Sequence, residues 1–395
     1  MIDFRSVETL LVFKNDDHVA NLKRIQKGCE FRYTGEFLSS NQEPIALHLP
    51  KTQDGIKVEG LSNLPTYFAG LLPEGIMFSA VKTLIGSASD DLFAVLAATG
   101  SDAIGDIEVR VPGEPEREPT INLEDAADII DAILSQKATY LQNHFAAIPG
   151  VQPKMSLGEI IRVSRKTKYI AKFDSSDFRH LIQNEFVFMS LARRCKLNVA
   201  SVKQDANALL VERFDRTFNS YTNLLEKVHI EDMLQVMDLF PNSKYSMEYI
   251  NLMAAMDGLG VSKATLLDAL RIFVFSYIIG NGDLHAKNVS LVQSMDTGQW
   301  SIAPGYDLLS TLPYKNVLPG ADRMALALRD ESYGRFTLEE LVDFGQEFGL
   351  PEKAVVKMVD RTAKAVSYFL PGLAQSILSE EVIETILGRA NFLMN

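Results

Sequence analysis

One stretch of the chain has the residue types and spacing for phosphoryl transfer. It begins Asn281-Gly282-Asp283-Leu284-His285-Ala286-Lys287-Asn288 and ends at Gly305-Tyr306-Asp307. Moving a phosphoryl group requires an Asp to accept or orient the proton of the attacking hydroxyl. It also requires an Asn five residues later to hold a metal ion, and a second Asp to hold the metal that bridges the nucleotide phosphates. Asp283, Asn288 and Asp307 fall into these roles. The bland alternative is a solvated Asn-Gly turn. A turn alone does not account for His285, Lys287, Asn288 and the later Asp307-Leu308 together.

The flanking segments must position this cluster. An apolar run, Ile272 to Ile279, reads as the end of a buried helix that starts after Ser262 and breaks at Gly280. Val289 to Val292 and Trp300 to Ala303 read as two short strands around a turn containing Thr297-Gly298. The order is helix, loop, hairpin, acid, and the spacing from Asp283 to Asn288 is that of protein kinases.

A nucleotide-binding side is expected upstream. Gly150-Val151-Gln152-Pro153-Lys154 forms a tight loop whose backbone N–H groups suit phosphates, although an ordinary turn has the same composition. Segments 159–164 and 168–173 read as a hairpin. Its Lys172 interrupts an apolar strand and suits phosphate binding as a point charge; the alternative is a surface lysine on an edge strand. Glu185, on an amphipathic helix, suits the glutamate that holds such a lysine in place, or is a solvated helical residue. Residues 209–216, LLVERFDR, read as a strand, with Glu212 and Phe214 placed either at an adenine edge or at an ordinary strand end.

The first hundred residues predict a compact α+β module. Strands are expected at 8–14, 30–33, 46–49 and 106–111, with 64–75 leading into a helical run over 77–86 and a further helix capped by Asp90 or Asp91 and ending at Gly100. Residues 112–119, PGEPEREP, read as a linker, and 123–142 as a helix. Beyond about Lys227 helices dominate. Thr337 to Glu340 forms a capping box, Pro351 opens a long helix, and a last helix closes the chain.

Composition sets the outer limits. A net charge of −12 argues against a chain that grips nucleic acid by its own field. Two cysteines, Cys29 and Cys195, match no disulfide or zinc framework, so a reducing cytoplasm is expected. No signal peptide is visible, and no apolar run approaches the ~18 residues of a membrane span.

Taken together, FAGLLPEG, FAVLAATGSDAIGDIEV, PGVQPK, AKF, NEF, LVERFDR, NGDLHAKNVSL and APGYDLLST resemble the HipA family of bacterial toxin kinases over nearly the whole chain. The resemblance implies an α+β, two-lobed protein-kinase-like fold. An extra N-terminal α+β module (1–111) and a linker (112–120) would precede a mixed α/β nucleotide lobe (121–225) and an all-helical catalytic lobe (226–395), with the metal site in the cleft between lobes. It implies an ATP- and Mg2+-dependent serine/threonine kinase that arrests growth and promotes persistence. Its expected partner is a HipB-type helix-turn-helix antitoxin, through which it would meet operator DNA. Its expected substrates are aminoacyl-tRNA synthetases, glutamyl-tRNA synthetase first.

Position by position, Asp283 resembles the catalytic aspartate, and Asn288 and Asp307 the magnesium ligands. Lys172 matches the ATP-binding lysine, and Glu212 with Phe214 the adenine hinge. His285 and Lys287 match positions that support the loop and phosphates. Gly150, Val151, Gln152 and Lys154 match the phosphate loop. One departure stands out. Family members carry a serine three residues before Gly150, whose autophosphorylation ejects the loop; here that residue is Ala147. Alanine has no hydroxyl, so that switch is absent at this position, whether the alanine is native or introduced. Two further readings remain open: a small-molecule phosphotransferase sharing the Asp-to-Asn spacing, and a non-catalytic, antitoxin-bound co-repressor.

Overall fold

The computed structural model describes residues 2–59, 64–86, 91–113, 154–157, 169–174, 178–205, 208–219, 224–330, 333–375 and 377–395. The helix expected at 123–142, the strand expected at 159–164, Ala147, Gly150, Val151, Gln152 and residues 114–120 of the linker lie outside them. Two compact units emerge. One comprises Met1–Ser175, Leu210–Glu231 and Asp238–Pro241; the other comprises Ser176–Leu209, Asp232–Met237 and Asn242–Asn395.

The first unit is built on an antiparallel sheet of β1 (Thr9–Lys14), β2 (Asp17–Ile25), β3 (Gly28–Tyr33), β4 (Ile56–Glu59) and β5 (Ile107–Arg110), in the order β4-β3-β2-β1-β5. Asn15 and Asp16 both take positive φ, +48° and +73°, the backbone that a tight hairpin between β1 and β2 requires. Leu10 lies opposite Leu22 and Val12 opposite Ala20, and all four are buried. Sequence reading expected only a turn between the first and third strands; the nine-residue β2 fills that interval. Its middle carries polar Asn21, Lys23 and Arg24, which blur the alternation.

Asp91 is the cap of the Leu92–Thr99 helix, accepting the Ala94 N–H, and it also receives both terminal nitrogens of Arg24 at 2.8 and 3.1 Å. Gly100 then allows a close approach, since a Cβ there would sit 2.7 Å from the side chain of Val109.

Residues 46–49 are a turn rather than the expected strand. Prolines 44 and 50 bracket the segment, and its backbone donors go to side chains or within the turn, as Leu49 N–H does to the Ala46 carbonyl at 3.1 Å, instead of to a ladder. Ile45 N–H donates to the Tyr33 hydroxyl at 3.0 Å, and Leu47 N–H to Glu231 Oε1 at 2.8 Å. Later in the same unit, Lys154–Leu157 pairs antiparallel with Tyr169–Phe173, and Arg216–Asn219 pairs with Leu224–Lys227.

The second unit is dominated by helices. Leu181–Arg194, Tyr249–Gly258, Lys263–Ile279, Leu338–Glu347, Glu352–Ala374 and Glu380–Met394 are its main ones. The Lys263–Ile279 helix is capped by Ser262, whose hydroxyl accepts the Thr265 N–H, and its run from Ile272 to Ile279 is buried throughout. Such a run, buried on every face, belongs inside a core, while the first turns of the helix keep Lys263 and Asp268 exposed. The Glu352–Ala374 helix packs against it and also against the Leu181–Arg194, Leu338–Glu347 and Glu380–Met394 helices. Thr337 and Glu340 form the expected capping box. The hairpin expected after Asn288 is present, with Ser290–Gln293 paired to Trp300–Ile302 and Leu291 opposite Ile302. Among the described residues no helix is long and apolar enough to cross a membrane.

Candidate active site

The Asp283 loop is shaped by the end of the helix before it. Gly280 caps that helix in the left-handed region at φ +70°, and its missing Cβ leaves room for Leu312. The chain is then pinned by Thr311, whose backbone N–H donates to the Gly280 carbonyl at 2.9 Å and whose hydroxyl accepts the Gly282 N–H at 2.8 Å and donates to the Ala321 carbonyl at 2.5 Å. Asn281 is fully buried, and its Oδ1 accepts the Asp283 N–H at 3.0 Å. These bonds set the direction in which Asp283 leaves the helix.

Four functional candidates lie on this loop. The Asp283 side chain is 45% exposed and so can meet a substrate, whereas His285, Lys287 and Asn288 are buried. Asp283 Oδ1 accepts a hydrogen bond from the Tyr245 hydroxyl at 2.7 Å. His285 Nε2 lies 4.0 Å from the same oxygen, beyond hydrogen-bond length. Asn288 Nδ2 donates to the Asp283 carbonyl at 2.8 Å, which orients the amide and turns its Oδ1 the other way.

Asp307 is reached through its neighbour. The Tyr306 hydroxyl donates to the Lys287 carbonyl at 2.7 Å and lies 2.6 Å from Ser290 Oγ. These contacts grip the residues on either side of Asn288. Burial pushes the Tyr306 phenol far above its ordinary ionisation range, so it stays a neutral donor. Asp307 itself takes φ +54°, a region sparse for non-glycine residues and often occupied at functional sites. Immediately downstream, Asn184 makes two bonds with one residue, donating to the Ser310 carbonyl and accepting its N–H, both at 2.9 Å. Asn184 precedes Glu185 on the Leu181–Arg194 helix, and both are buried. Glu185 is thus no solvated helical residue.

The other candidates belong to the first unit. Lys172 is 2% exposed, which rules out a surface lysine, and stands opposite Lys154 in the strand ladder. Glu212 ends its strand half-buried, and Phe214 is half-buried in the following turn. Arg213 between them is fully buried. Its guanidinium holds Asp215 at 2.7 Å, Asp102 at 2.9 Å and the Ala103 carbonyl at 2.9 Å. Arg216 also binds Asp215, at 2.7 Å. Burial would raise the Asp215 carboxyl, but the two arginines hold it well below the usual range.

Sequence reading missed Tyr245, Tyr306, Asn184, Thr311 and the Arg213 cluster. LVERFDR showed two arginines flanking an aspartate, and that pattern was a usable signal for a buried ion cluster. Asn184, Tyr306 and Thr311 lay inside the motifs NEF and APGYDLLST without a role of their own, and nothing local marked Tyr245.

Matches to known proteins cover most of the chain. The model of the HipA N-terminal domain matches residues 10–110, and that of the HipA-like C-terminal domain matches residues 146–368. The protein named kinase Y4dM of Sinorhizobium fredii is 30% identical over 327 residues, covering 76% of this chain and 75% of that protein. The serine/threonine-protein kinase toxin HipA of Shewanella oneidensis is 26% identical over 338 residues, covering 78% and 76%. In the solved complex of HipA, HipB and operator DNA from Shewanella oneidensis, HipA superposes with a TM-score of 0.74 at 22% identity, over 98% of this chain and 96% of that one. The fold is therefore α+β and two-lobed, of the protein-kinase-like class. The chain belongs to the HipA family.

Proposed function

We propose that this chain is an ATP-dependent serine/threonine protein kinase and the toxin of a toxin–antitoxin pair. The observation that carries the reading is the Asp283 carboxylate. It is half-exposed and anchored through one oxygen by Tyr245, on a loop whose Asn288 amide is locked to its own backbone. A carboxylate so held can take the proton of an incoming serine or threonine hydroxyl as that oxygen attacks phosphorus, an effect worth ~10²–10⁴ in rate.

Asn288 Oδ1 and the Asp307 carboxylate would hold Mg2+. The donor set fits, because magnesium takes oxygen ligands and completes its shell with water and substrate phosphates, so two protein ligands suffice. When bound, the ion neutralises charge on the transferring phosphoryl group. Among the described residues no cluster of three or more His, Cys, Asp and Glu offers a rival metal site. In this reading Lys172 meets the ATP phosphates, with Glu185 as the carboxylate that positions it. Gly150, Val151, Gln152 and Lys154 cradle the phosphates, and Glu212 and Phe214 face the adenine. His285 and Lys287 support the loop and phosphates. Residues 1–111 form the accessory module, and 226–395 the catalytic lobe.

The relative solved with HipB and operator DNA supports a HipB-type antitoxin as partner and DNA contact mainly through it. The substrate class implied by the family is an aminoacyl-tRNA synthetase, glutamyl-tRNA synthetase first, met in the cytoplasm. With alanine at position 147, restraint would fall to the antitoxin rather than to autophosphorylation there.

Asp283→Asn tests the reading. It should abolish label transfer from γ-labelled ATP to protein while nucleotide binding persists. Transfer at the wild-type rate would end the assignment of Asp283. Label appearing only on small molecules would instead favour a small-molecule phosphotransferase.

A further inference from the structure

We propose that Tyr245 is the positioning residue of the catalytic aspartate, its hydroxyl selecting the rotamer in which Asp283 receives the acceptor's proton. The proposal rests on the kinase reading of Asp283. Three contacts place Tyr245 on the catalytic loop from 38 residues upstream. Its hydroxyl donates to Asp283 Oδ1 at 2.7 Å. Its ring meets that of His285 edge-on, with centroids 5.1 Å apart at 84°. The carbonyl of its neighbour Lys244 accepts the Ala286 N–H at 3.2 Å.

Tyr245 is 49% exposed, so water competes for its hydroxyl, yet that hydroxyl is directed onto a carboxylate. A half-exposed aspartate turns readily about its side-chain bonds, and each turn moves its oxygens by ångströms. Among the described residues, Tyr245 is the one side chain within hydrogen-bond length of this carboxylate. Holding Oδ1 on one side leaves Oδ2 at a defined place for the substrate hydroxyl. Bonds to a charged acceptor are strong enough for that task, and misplacement of a reacting group by about 1 Å can cost ~10²-fold in rate. The His285 ring acts at one remove, since it buttresses the phenol that holds the carboxylate.

Tyr245→Phe keeps the ring against His285 and removes only the hydroxyl. The experiment uses the purified full chain, γ-labelled ATP at varied concentration and cell lysate as acceptor, beside wild type and Asp283→Asn. The expected result is a maximal rate lowered about 10-fold, with unchanged half-saturating ATP and an unchanged melting temperature. A role in packing alone would lower the melting temperature and leave the maximal rate untouched, which would overturn the proposal. So would a Tyr245→Phe enzyme at the wild-type rate beside an inactive Asp283→Asn, and the kinase reading would then stand. If Asp283→Asn transfers label as well as wild type, or wild type transfers none, the kinase reading fails and takes this proposal with it.

Discussion

The side chain of Tyr306 shows how much one residue can decide here. It has a single hydroxyl, buried and neutral, which gives its proton to the Lys287 carbonyl and meets Ser290 Oγ. Those two residues flank Asn288, and Tyr306 is followed by Asp307. One phenol thus links the two segments that carry the proposed metal ligands. Tyr306→Phe should leave the Lys287 carbonyl and the Ser290 hydroxyl short of a partner. Unsatisfied buried groups cost about 1–3 kcal/mol each at most, so a urea midpoint shift equivalent to about 1–3 kcal/mol is expected. The Mg2+ concentration needed for half-maximal activity should also rise. An unchanged midpoint would show that neither bond matters to the fold.

The Lys263–Ile279 helix matters as an element through the way it stops. Gly280 ends it in a left-handed conformation, and a side chain there meets Leu312 carbons at 2.6 Å. Both effects oppose any other residue. The backbone term alone is about 1–2 kcal/mol, and the clash adds to it. Gly280→Ala should therefore destabilise the chain by more than about 1 kcal/mol in denaturant titration. Phosphotransfer should fall as well, because the Asp283 loop takes its direction from this cap. Full activity in a destabilised Gly280→Ala chain would separate the loop's geometry from the helix end.

At the scale of the whole molecule, the first unit contains a buried ionic cluster with consequences for pH. His229 Nδ1 lies 2.8 Å from Asp106 Oδ1, and its Nε2 lies 3.1 Å from Glu231 Oε1. Lys14 faces Asp106 at 3.5 Å, Tyr67 stacks near the imidazole, and Lys227 pairs with Glu108 close by in sequence. Burial by itself would push His229 down, but Asp106 first, and Glu231 with it, lift it from 6.5 to about 9. The folded chain then holds this proton more tightly than the unfolded one. Its stabilisation is complete below pH 6.5 and is lost as pH rises towards about 9. Burial lowers Lys227 from 10.5 to about 8, which makes stability rise with pH above that point. The clean window is therefore pH 6.5 to 8. There the unfolding free energy should fall by roughly 1–2 kcal/mol, and His229→Gln should flatten the slope. A slope that survives in the variant would assign it to another group.

Much of the candidate site was legible because its chemistry is local. Asp283, Asn288 and Asp307 are singled out as candidates by spacing, and the helix before them by its apolar run, its Ser262 cap and its terminal glycine. Asp91 and Thr337 announce their caps in the same way, since a cap bonds within three residues of itself. Position 46–49 misled because a short apolar run fits a strand or a buried turn equally well, and side chains far along the chain decided between them.

The sequence by itself determined which residues have the chemistry to handle a phosphoryl group and where the main helices begin and end. Only the tertiary structure decided what holds those residues still. Tyr245 reaches Asp283 across 38 positions, and Asn184 reaches Ser310 across 126. Local propensity is written in neighbouring residues, whereas the partner of a buried hydroxyl, amide or imidazole is chosen by whichever distant segment packing brings within 3 Å.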